Sequence, residues 1–399
     1  MFGKSQTIFN REHEDAITLI RRKAYIDYVQ RTGIANLPLH PGKAPRWLFT
    51  RMVKLSRAIL DVLVIEYGSD EILKRFSDPF WFQAFSCVLG FDWHSSGTTT
   101  VTCGALKEAV DPEEHGIVIA GGKGRVSRET PNEIEEKAIV FSLSAHTIDA
   151  LKSSSRLAAK VDNVAIQDGY QLYHHVFLFS ERGKWVVIQQ GMNDSNSYAR
   201  RYHWFSDYVD SFVIEPHSGI IGTDKEEVAL DMTSRLSEDA RKTSVDLVRD
   251  NPYHLRRDWE YLIRNQKQTT LDMWSSIYDR TPKPEVLDMP RNINWSLMKR
   301  LYDFQPENYE QLLSVKGVGP ATVRALALIS DLIYGAKPSW QDPIKFTFTV
   351  GGKDGVPYPV DRKVMDESIE ILKRGIEEAK VGKEEKLKAF RRMKNIIPK

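Results

Sequence analysis

The spacing of apolar residues changes twice along this chain, and this change constrains the fold more than any single motif does. From Trp47 to Phe76 the apolar side chains recur mostly every three or four residues, as on one face of an α-helix. Tyr173–Phe179 and Trp185–Gln190 are instead short, mostly apolar runs rich in aromatic and β-branched residues, and the short polar segment between them contains Gly183, a pattern typical of a β-hairpin. Helical spacing returns after Asp224. The sequence therefore predicts an α+β fold, in which a mixed α/β domain is followed by a helical domain.

The predicted domain boundaries follow from the same pattern. Residues 1–30 are polar and form an N-terminal extension, residues 31–222 form the mixed α/β domain, and residues 223–399 form the helical domain. Within the helical domain, residues 309–334 are predicted to be a helical hairpin. The shorter predicted elements are a helix over Phe80–Leu89, a strand over Gly116–Ala120, a helix from Thr130 to Ile139, a strand over Phe212–Ile214 and a helix over Val228–Leu236.

Composition narrows the class of protein. The 399 residues carry a formal net charge of +2, so any surface that attracts nucleic acid must be local, and Arg200 and Arg201 form one local basic cluster. The two cysteines, Cys87 and Cys103, are too few for a disulfide framework or a four-cysteine zinc site, and we expect buried free thiols. With no signal-peptide pattern and no apolar run of about 20 residues, we expect a cytoplasmic protein that does not enter a membrane.

Two glycines separate two apolar helical segments near the C-terminus, in the stretch Leu313-Ser-Val-Lys-Gly-Val-Gly-Pro-Ala-Thr-Val323. Gly317 and Gly319 permit a tight turn whose N–H groups face outward, and Pro320 suits the first position of the following helix. N–H groups at a helix start attract phosphate, because free donors and the helix dipole act together. A purely structural hairpin, whose glycines only turn the chain, is the alternative.

This stretch resembles the helix-hairpin-helix of DNA repair and recombination proteins, which holds one DNA strand by its phosphates without reading bases. The resemblance implies DNA as the partner. The residues that would contact the DNA backbone are Lys316, Gly317, Val318, Gly319, Thr322 and Arg324.

The predicted central hairpin is a candidate catalytic site. Asp162 precedes it, and its strands carry His174, His175 and Gln189. A carboxylate followed by a hairpin resembles the core of restriction-type nucleases, which implies a phosphodiester substrate and Mg²⁺ or Mn²⁺. The sequence Gln189-Gln190-Gly191 stands where those enzymes have acid-x-Lys, and adjacent strand residues face opposite sides, so His174 and His175 are not expected in one site. A hairpin with buried, hydrogen-bonded histidines is the alternative.

A polar segment before the first predicted strand is a second candidate. Asp92-Trp-His-Ser-Ser-Gly-Thr-Thr-Thr100 precedes a predicted helix, so its hydroxyls and the helix start could hold a phosphate, with His94 as an acid or base. A turn of hydroxyl caps is an equal alternative. Separately, Glu215 and His217 would share a strand face at two-residue spacing and could bind a metal together, although two ligands do not make a site.

A third candidate follows the glycine turn. Tyr358-Pro-Val-Asp-Arg-Lys-Val364 resembles the segment of helix-hairpin-helix DNA glycosylases that carries their catalytic aspartate, which implies that role for Asp361. Lys363 replaces the histidine of that segment, and Ala321 stands at the position of the lysine that some members use as a lyase. The alternative is that Asp361 caps the helix that begins near Arg362.

Five longer strings resemble a single family over about residues 31–375. These strings are Arg31–His40, Pro79–Gln83, Gly90–Gly97, Gln167–His174 and Gln189–Asn193. By them the chain is similar to an uncharacterised prokaryotic family, the domain of unknown function numbered seven hundred and sixty-three. The resemblance implies membership without supplying a mechanism, and it leaves residues 1–30 outside the pattern.

The predicted function is a DNA-binding protein of repair or recombination type that hydrolyses phosphodiester bonds. Its catalytic candidates are His94, Asp162, His174 and Gln189. A glycosylase that uses Asp361 and a non-catalytic DNA-binding module are the alternatives. Since no Walker motif is present, no nucleotide cofactor is expected.

Overall fold

The computed structural model describes residues 37, 39, 44–91, 95–222, 225–272, 289–344, 362–379 and 381–396. Over this part of the chain it confirms the α+β prediction, because helices cover both faces of a five-stranded antiparallel sheet. The strands are β1 (Ile117–Lys123), β2 (Ile166–Gln167), β3 (Gln171–Ser180), β4 (Trp185–Asn193), β5 (Tyr198–Phe205), β6 (His217–Ile221) and β7 (Leu230–Asp231). The helices are α1 (Arg46–Tyr67), α2 (Ser69–Ser77), α3 (Pro79–Leu89), α4 (Gly97–Ala109), α5 (Pro112–His115), α6 (Arg125–Arg128), α7 (Thr130–Lys137), α8 (Ala145–Lys160), α9 (Glu238–Arg249), α10 (Pro252–Asp272), α11 (Trp295–Phe304), α12 (Tyr309–Ser314), α13 (Pro320–Leu332), α14 (Arg362–Glu378) and α15 (Lys383–Ile396).

The sheet has the strand order β1-β3-β4-β5-β6, and β2 pairs with β7 in a separate two-stranded ribbon. Gly183, with φ of 76°, lies in the turn between β3 and β4, which confirms the predicted hairpin. Helices cover both faces of these strands, and this explains why the segments of β3 and β4 next to the turn, Val176–Phe179 and Trp185–Ile188, are continuous apolar runs that do not alternate with polar residues.

Helices α1 to α4 cover one face of the sheet, which we call the α4 face. Their apolar side chains form one buried cluster with those of Val176, Leu178 and Ile188. Helix α14 packs closely on α1, because a Cβ atom at Gly375 would lie 2.4 Å from Cγ1 of Ile59. Only glycine therefore fits at that contact.

Helices α7 and α8 and several later helices cover the opposite face, which we call the α8 face. Phe177 of β3, Val187 of β4 and Leu326 of α13 belong to one buried apolar cluster on this side. The cluster therefore contains side chains from both sides of residue 222, so the helices after the sheet complete its core.

Several predicted elements differ from the structure. The predicted helix from Trp47 to Phe76 is two helices, because Gly68 at φ of 83° separates α1 from α2. The strand predicted over Phe212–Ile214 was wrong, since those residues form a turn. The helix predicted over Val228–Leu236 was also wrong, because that segment contains β7 and the start of a short 3₁₀ turn.

The cysteines and the apolar character of the helices bear on two predictions made from composition. Cys87 and Cys103 are both buried and neither forms a disulfide, which confirms the prediction of buried free thiols. Among the helices of the described residues, none combines the length and the apolar character that crossing a lipid bilayer requires.

Candidate functional site

Three neighbouring strands each carry a pair of identical polar residues at the centre of the sheet. The pairs are His174–His175 on β3, Gln189–Gln190 on β4 and Arg200–Arg201 on β5. Successive residues of a strand point to opposite faces, and residues directly opposite on neighbouring strands point to the same face. The pairing of strands therefore produces two separate buried polar clusters, one on each face of the sheet.

On the α8 face the cluster is centred on Asp162, which is fully buried in a π-helical turn after α8. Its Oδ2 accepts hydrogen bonds from Nε2 of Gln189 at 2.6 Å and from Nε1 of Trp204 at 2.9 Å. Its Oδ1 is bonded to Nε2 of His217 at 2.5 Å. Burial raises the pKa of Asp162, while the contacts with His217 and Trp204 oppose that rise. The three contacts fix the carboxyl group and, through it, the imidazole of His217.

The hydrogen bonds continue from Gln189 into α8. Oε1 of Gln189 accepts from Nδ1 of His175 at 2.8 Å, and Nε2 of His175 accepts from the hydroxyl of Ser155 at 2.8 Å. Burial lowers the pKa of His175 to about 4. This histidine is therefore a neutral ring at pH 7 whose two nitrogens have opposite roles.

His217 connects this cluster to a polar pocket of about 170 Å³. Glu215, with φ of 44°, lies before the first residue of β6, and it lines the pocket together with His217. The pocket is lined by Glu215, His217, Asp231, Thr233, Ser234, Ser339, Gln341, Asp342 and Pro343. An imidazole held by a buried carboxylate at a polar opening has the arrangement of a general acid or base.

A second ion-pair network holds the wall of the pocket. Nη1 of Arg200 donates to Asp168 at 2.8 Å and to Asp342 at 2.9 Å, and Nη2 donates to Asp342 at 2.8 Å. All three side chains are buried, and the hydroxyl of Tyr202 donates to Asp168 at 2.8 Å. Arg200 is thus a structural residue and does not belong to a surface basic cluster.

The glycine turn lies between α12 and α13. Gly317 is exposed with φ of 103°, Lys316 is exposed, and Val318 between the two glycines is buried and anchors the turn. Gly319 precedes α13, no side chain caps that helix start, and Pro320 is the first helical residue.

Two of the predicted DNA-contacting residues are held within the protein. Thr322 is buried, and Nη1 of Arg324 donates to Oε1 of Gln167 at 3.1 Å. Nε2 of Gln167 in turn donates to the carbonyl of Pro320 at 2.9 Å. Gln167 is paired with Leu230 in the ribbon whose next residue, Asp231, lines the pocket. The start of α13 and the pocket are therefore joined through the β2–β7 ribbon.

The structure brings some of the predicted catalytic residues together and separates others. Asp162 and Gln189 are in contact, whereas His174 lies on the α4 face. His94 and Asp361 lie outside the described residues. Within the described ranges, the set of three side chains close enough to share a metal ion is Asp61, Glu114 and His115, a set distinct from the residues that line the pocket.

Sequence reasoning identified the pair Glu215 and His217 but missed the contact between His217 and Asp162. The two residues are 55 positions apart, and no spacing rule connects them. Asp231 was missed because it lies within the helix predicted over Val228–Leu236, and Asp342 was missed because it lies in a stretch for which no element was predicted. The sequence feature that pointed to this site was the two-residue spacing of Glu215 and His217. That spacing does not indicate which acidic residue binds the imidazole of His217.

Comparison with known proteins gives a family and no function. Residues 33–360 match the model of a family described as "Protein of unknown function (DUF763)". No curated protein and no solved structure matches the chain.

Proposed function

This chain belongs to the DUF763 family, described only as of unknown function, and we propose from its own residues that it binds DNA by the phosphate backbone and hydrolyses it. The observation that carries the proposal is the joining of two features through the β2–β7 ribbon. One is an exposed glycine turn at an uncapped helix start, and the other is the pocket that contains His217.

The glycine turn supplies the phosphate contacts. Backbone N–H groups at the start of α13 have no capping side chain, so an anion can accept from them and benefit from the helix dipole. Lys316 is exposed beside the turn, and Nη2 of Arg300 donates to the carbonyl of Lys316 at 3.1 Å. Two positive charges therefore flank the donors. The resemblance to the helix-hairpin-helix supports the same conclusion.

Gly317→Ala is expected to weaken DNA binding about ten-fold or more at matched salt, because φ of 103° disfavours any Cβ and the added methyl group lies beside Arg300. The loss should be equal for unrelated DNA sequences, since phosphate contacts carry no sequence information. Fluorescence anisotropy with labelled duplexes measures it. Gly335→Ala is the matched control, because Gly335 is also exposed with φ of 72° but lies beyond the other end of α13.

Lys316→Ala tests the charge separately from the backbone. Removal of one phosphate contact should lower the slope of log K against log salt by about one. Unchanged affinity and slope in both variants would show that the turn is structural.

The pocket contains the side chains that would hydrolyse the phosphodiester bond. His217 is held through Nε2 by the buried carboxylate of Asp162, whereas the aspartate of a Ser-His-Asp triad binds Nδ1. In both cases the carboxylate orients the imidazole, so we expect His217 to remove a proton from water or return one to a leaving oxygen through its other nitrogen. The carboxylates of Glu215 and Asp231 line the same pocket and supply oxygen ligands of the kind that Mg²⁺ or Mn²⁺ prefers.

Asp162→Asn is expected to lower the rate of DNA cleavage about 100-fold or more while DNA binding is retained. An asparagine can keep the bonds from Gln189 and Trp204, but its amide would donate to Nε2 of His217 and impose the other tautomer. The assay uses end-labelled single- and double-stranded DNA with magnesium, manganese or EDTA. Binding without cleavage under all conditions would leave a DNA-binding module, and base release without strand cleavage would favour the glycosylase alternative.

A further inference from the structure

Arg200 and Arg201 are neighbours with opposite electrostatic surroundings. Both side chains are fully buried, but Arg200 has two carboxylates and Arg201 has none among the described residues. Nη2 of Arg201 donates to Oε1 of Gln83 at 2.8 Å, and Nη1 donates to the hydroxyl of Thr99 at 3.3 Å. The guanidinium also lies 4.6 Å from the ring centroid of Phe82, but neither this ring nor the neutral acceptors provide a negative charge, and burial lowers the pKa of Arg201 to about 9.

Arg201 belongs to a row of polar side chains across the α4 face. The strand pairing places His174, Gln190 and Arg201 directly opposite one another on β3, β4 and β5. Polar atoms of all three are buried without a hydrogen-bond partner: both nitrogens of His174, Oε1 of Gln190 and Nε of Arg201. Nε2 of His203, two residues along β5 on the same face, is also without a partner. Such atoms are rare in folded proteins, and a row of them is typical of a place where an ion, a ligand or ordered water binds.

The start of α4 lies against the same row. Nε2 of Gln190 donates to the carbonyl of Ser96 at 3.0 Å, and Thr99, the third residue of α4, contacts Arg201. The positive end of the helix dipole therefore points towards the row, and it adds to the charge of Arg201.

We propose that the row formed by His174, Gln190 and Arg201 binds a hydrogen phosphate group, either as free phosphate or as the terminal phosphate of a nucleotide. The guanidinium requires a negative charge, so water alone does not complete the site. Oε1 of Gln190 requires a donor, so the anion must also carry an O–H group. Hydrogen phosphate has both, whereas sulfate at neutral pH has only acceptors. The site lies on the face of the sheet opposite to the His217 pocket and is independent of it.

Equilibrium dialysis of the full chain with radiolabelled phosphate at pH 7.5 tests the site, with chloride used to hold ionic strength constant. We expect one phosphate per chain and binding of sulfate weaker by about ten-fold or more, because sulfate would leave Gln190 unpaired. Equal binding of sulfate, or no retained phosphate, would overturn the proposal. Unlabelled deoxyadenosine monophosphate distinguishes the two sources: competition assigns the site to a nucleotide, and its absence assigns it to free phosphate.

Substitutions within the row test whether the phosphate binds there. Arg201→Met removes the unpaired charge while keeping an apolar stem of similar length, and it should abolish phosphate retention. His174→Phe gives a second test if that variant does not fold, since it removes two unpartnered nitrogens with little change in shape. Lys242→Ala should retain phosphate as the unaltered protein does, because Lys242 is exposed on α9, where it pairs with Glu238. Retention that persists in both Arg201→Met and His174→Phe would contradict the assignment.

Discussion

Lowering the pH from 7 to 5 is expected to reduce the free energy of unfolding by several kcal/mol, because three histidines are buried as neutral rings. Burial lowers the pKa of His174 to about 3 and that of His175 to about 4, and burial with the nearby charge of Arg201 holds the pKa of His203 well below its usual range. A histidine of the unfolded chain has a pKa of about 6.5. At a pH between the folded and the unfolded pKa values, the three histidines bind protons in the unfolded chain but not in the folded protein.

The sign of the effect follows from this difference in protons bound. The stability that these rings contribute is fully present above pH 6.5, the unfolded pKa, and it is lost as the pH falls towards their folded pKa values, at about 1.4 kcal/mol per pH unit for each ring. Three rings give a slope of about 4 kcal/mol per unit. Burial raises the pKa of Asp162, so its contribution has the opposite sign, but one carboxyl group offsets at most one ring.

Urea unfolding at several pH values in phosphate-free buffer measures this slope. His174→Phe should lower it by about one third, since one of the three rings is removed. A slope below about 1.4 kcal/mol per unit, the value for two rings offset by one carboxyl group, would mean that fewer than two rings are buried as neutral groups.

Asp342→Ala is expected to reduce the free energy of unfolding by about 3–5 kcal/mol, the usual cost of leaving a buried charge without its partner. Asp342 binds both terminal nitrogens of Arg200, and it also accepts from the backbone N–H groups of Glu226 at 2.6 Å and Ile344 at 2.9 Å. Loss of the carboxylate removes one of the two acidic partners of Arg200 described above and releases the segment that carries Asp342 from the sheet.

Thermal and urea unfolding of this variant give the measurement. Lys242→Ala is the control, because the ion pair of Lys242 with Glu238 is exposed on α9 and its loss should have no resolvable effect. Asp342→Asn should be intermediate, since an amide oxygen can still accept from Arg200. If Asp342→Ala were as stable as Lys242→Ala, the network would not hold this part of the fold.

The parts of the fold that the sequence predicted are those whose information is local. The β3–β4 hairpin has two apolar runs and a glycine in the turn, and α3 has Asp78 before Pro79 as a cap, with Oδ1 of Asp78 accepting from the N–H of Phe80 at 2.8 Å. Strand β5 was missed because its centre is polar. Arg200 and Arg201 look like a surface cluster until their partners are known, and one of those partners is 142 residues away.

In the candidate site too, the contacts that local sequence patterns predicted differ from those that depend on residues far apart in the chain. Asp162 and Gln189 were named together because a carboxylate before a hairpin resembles a nuclease core, and they are in contact. The alternation of strand residues separated His174 from His175, and the structure places them on opposite faces. The ring that faces the pocket, His217, was recognisable only by its spacing from Glu215, because its hydrogen bond to Asp162 depends on how a π-helical turn meets the end of a distant strand.

The paired residues at the centre of the sheet also have a consequence for how the chain folds. In β3 and β4 each pair of polar residues presents one identical side chain to the α4 face and one to the α8 face. The apolar residues of these strands are also large on both faces. A slip of one residue would exchange His174 for His175 and Gln189 for Gln190 and change little in composition on either side. The amino-acid pattern of these strands therefore hardly distinguishes the correct alignment from its neighbour. The correct alignment must be selected by features outside the repeated positions: the turn at Gly183 and the irregular pairing between Leu172 and His174.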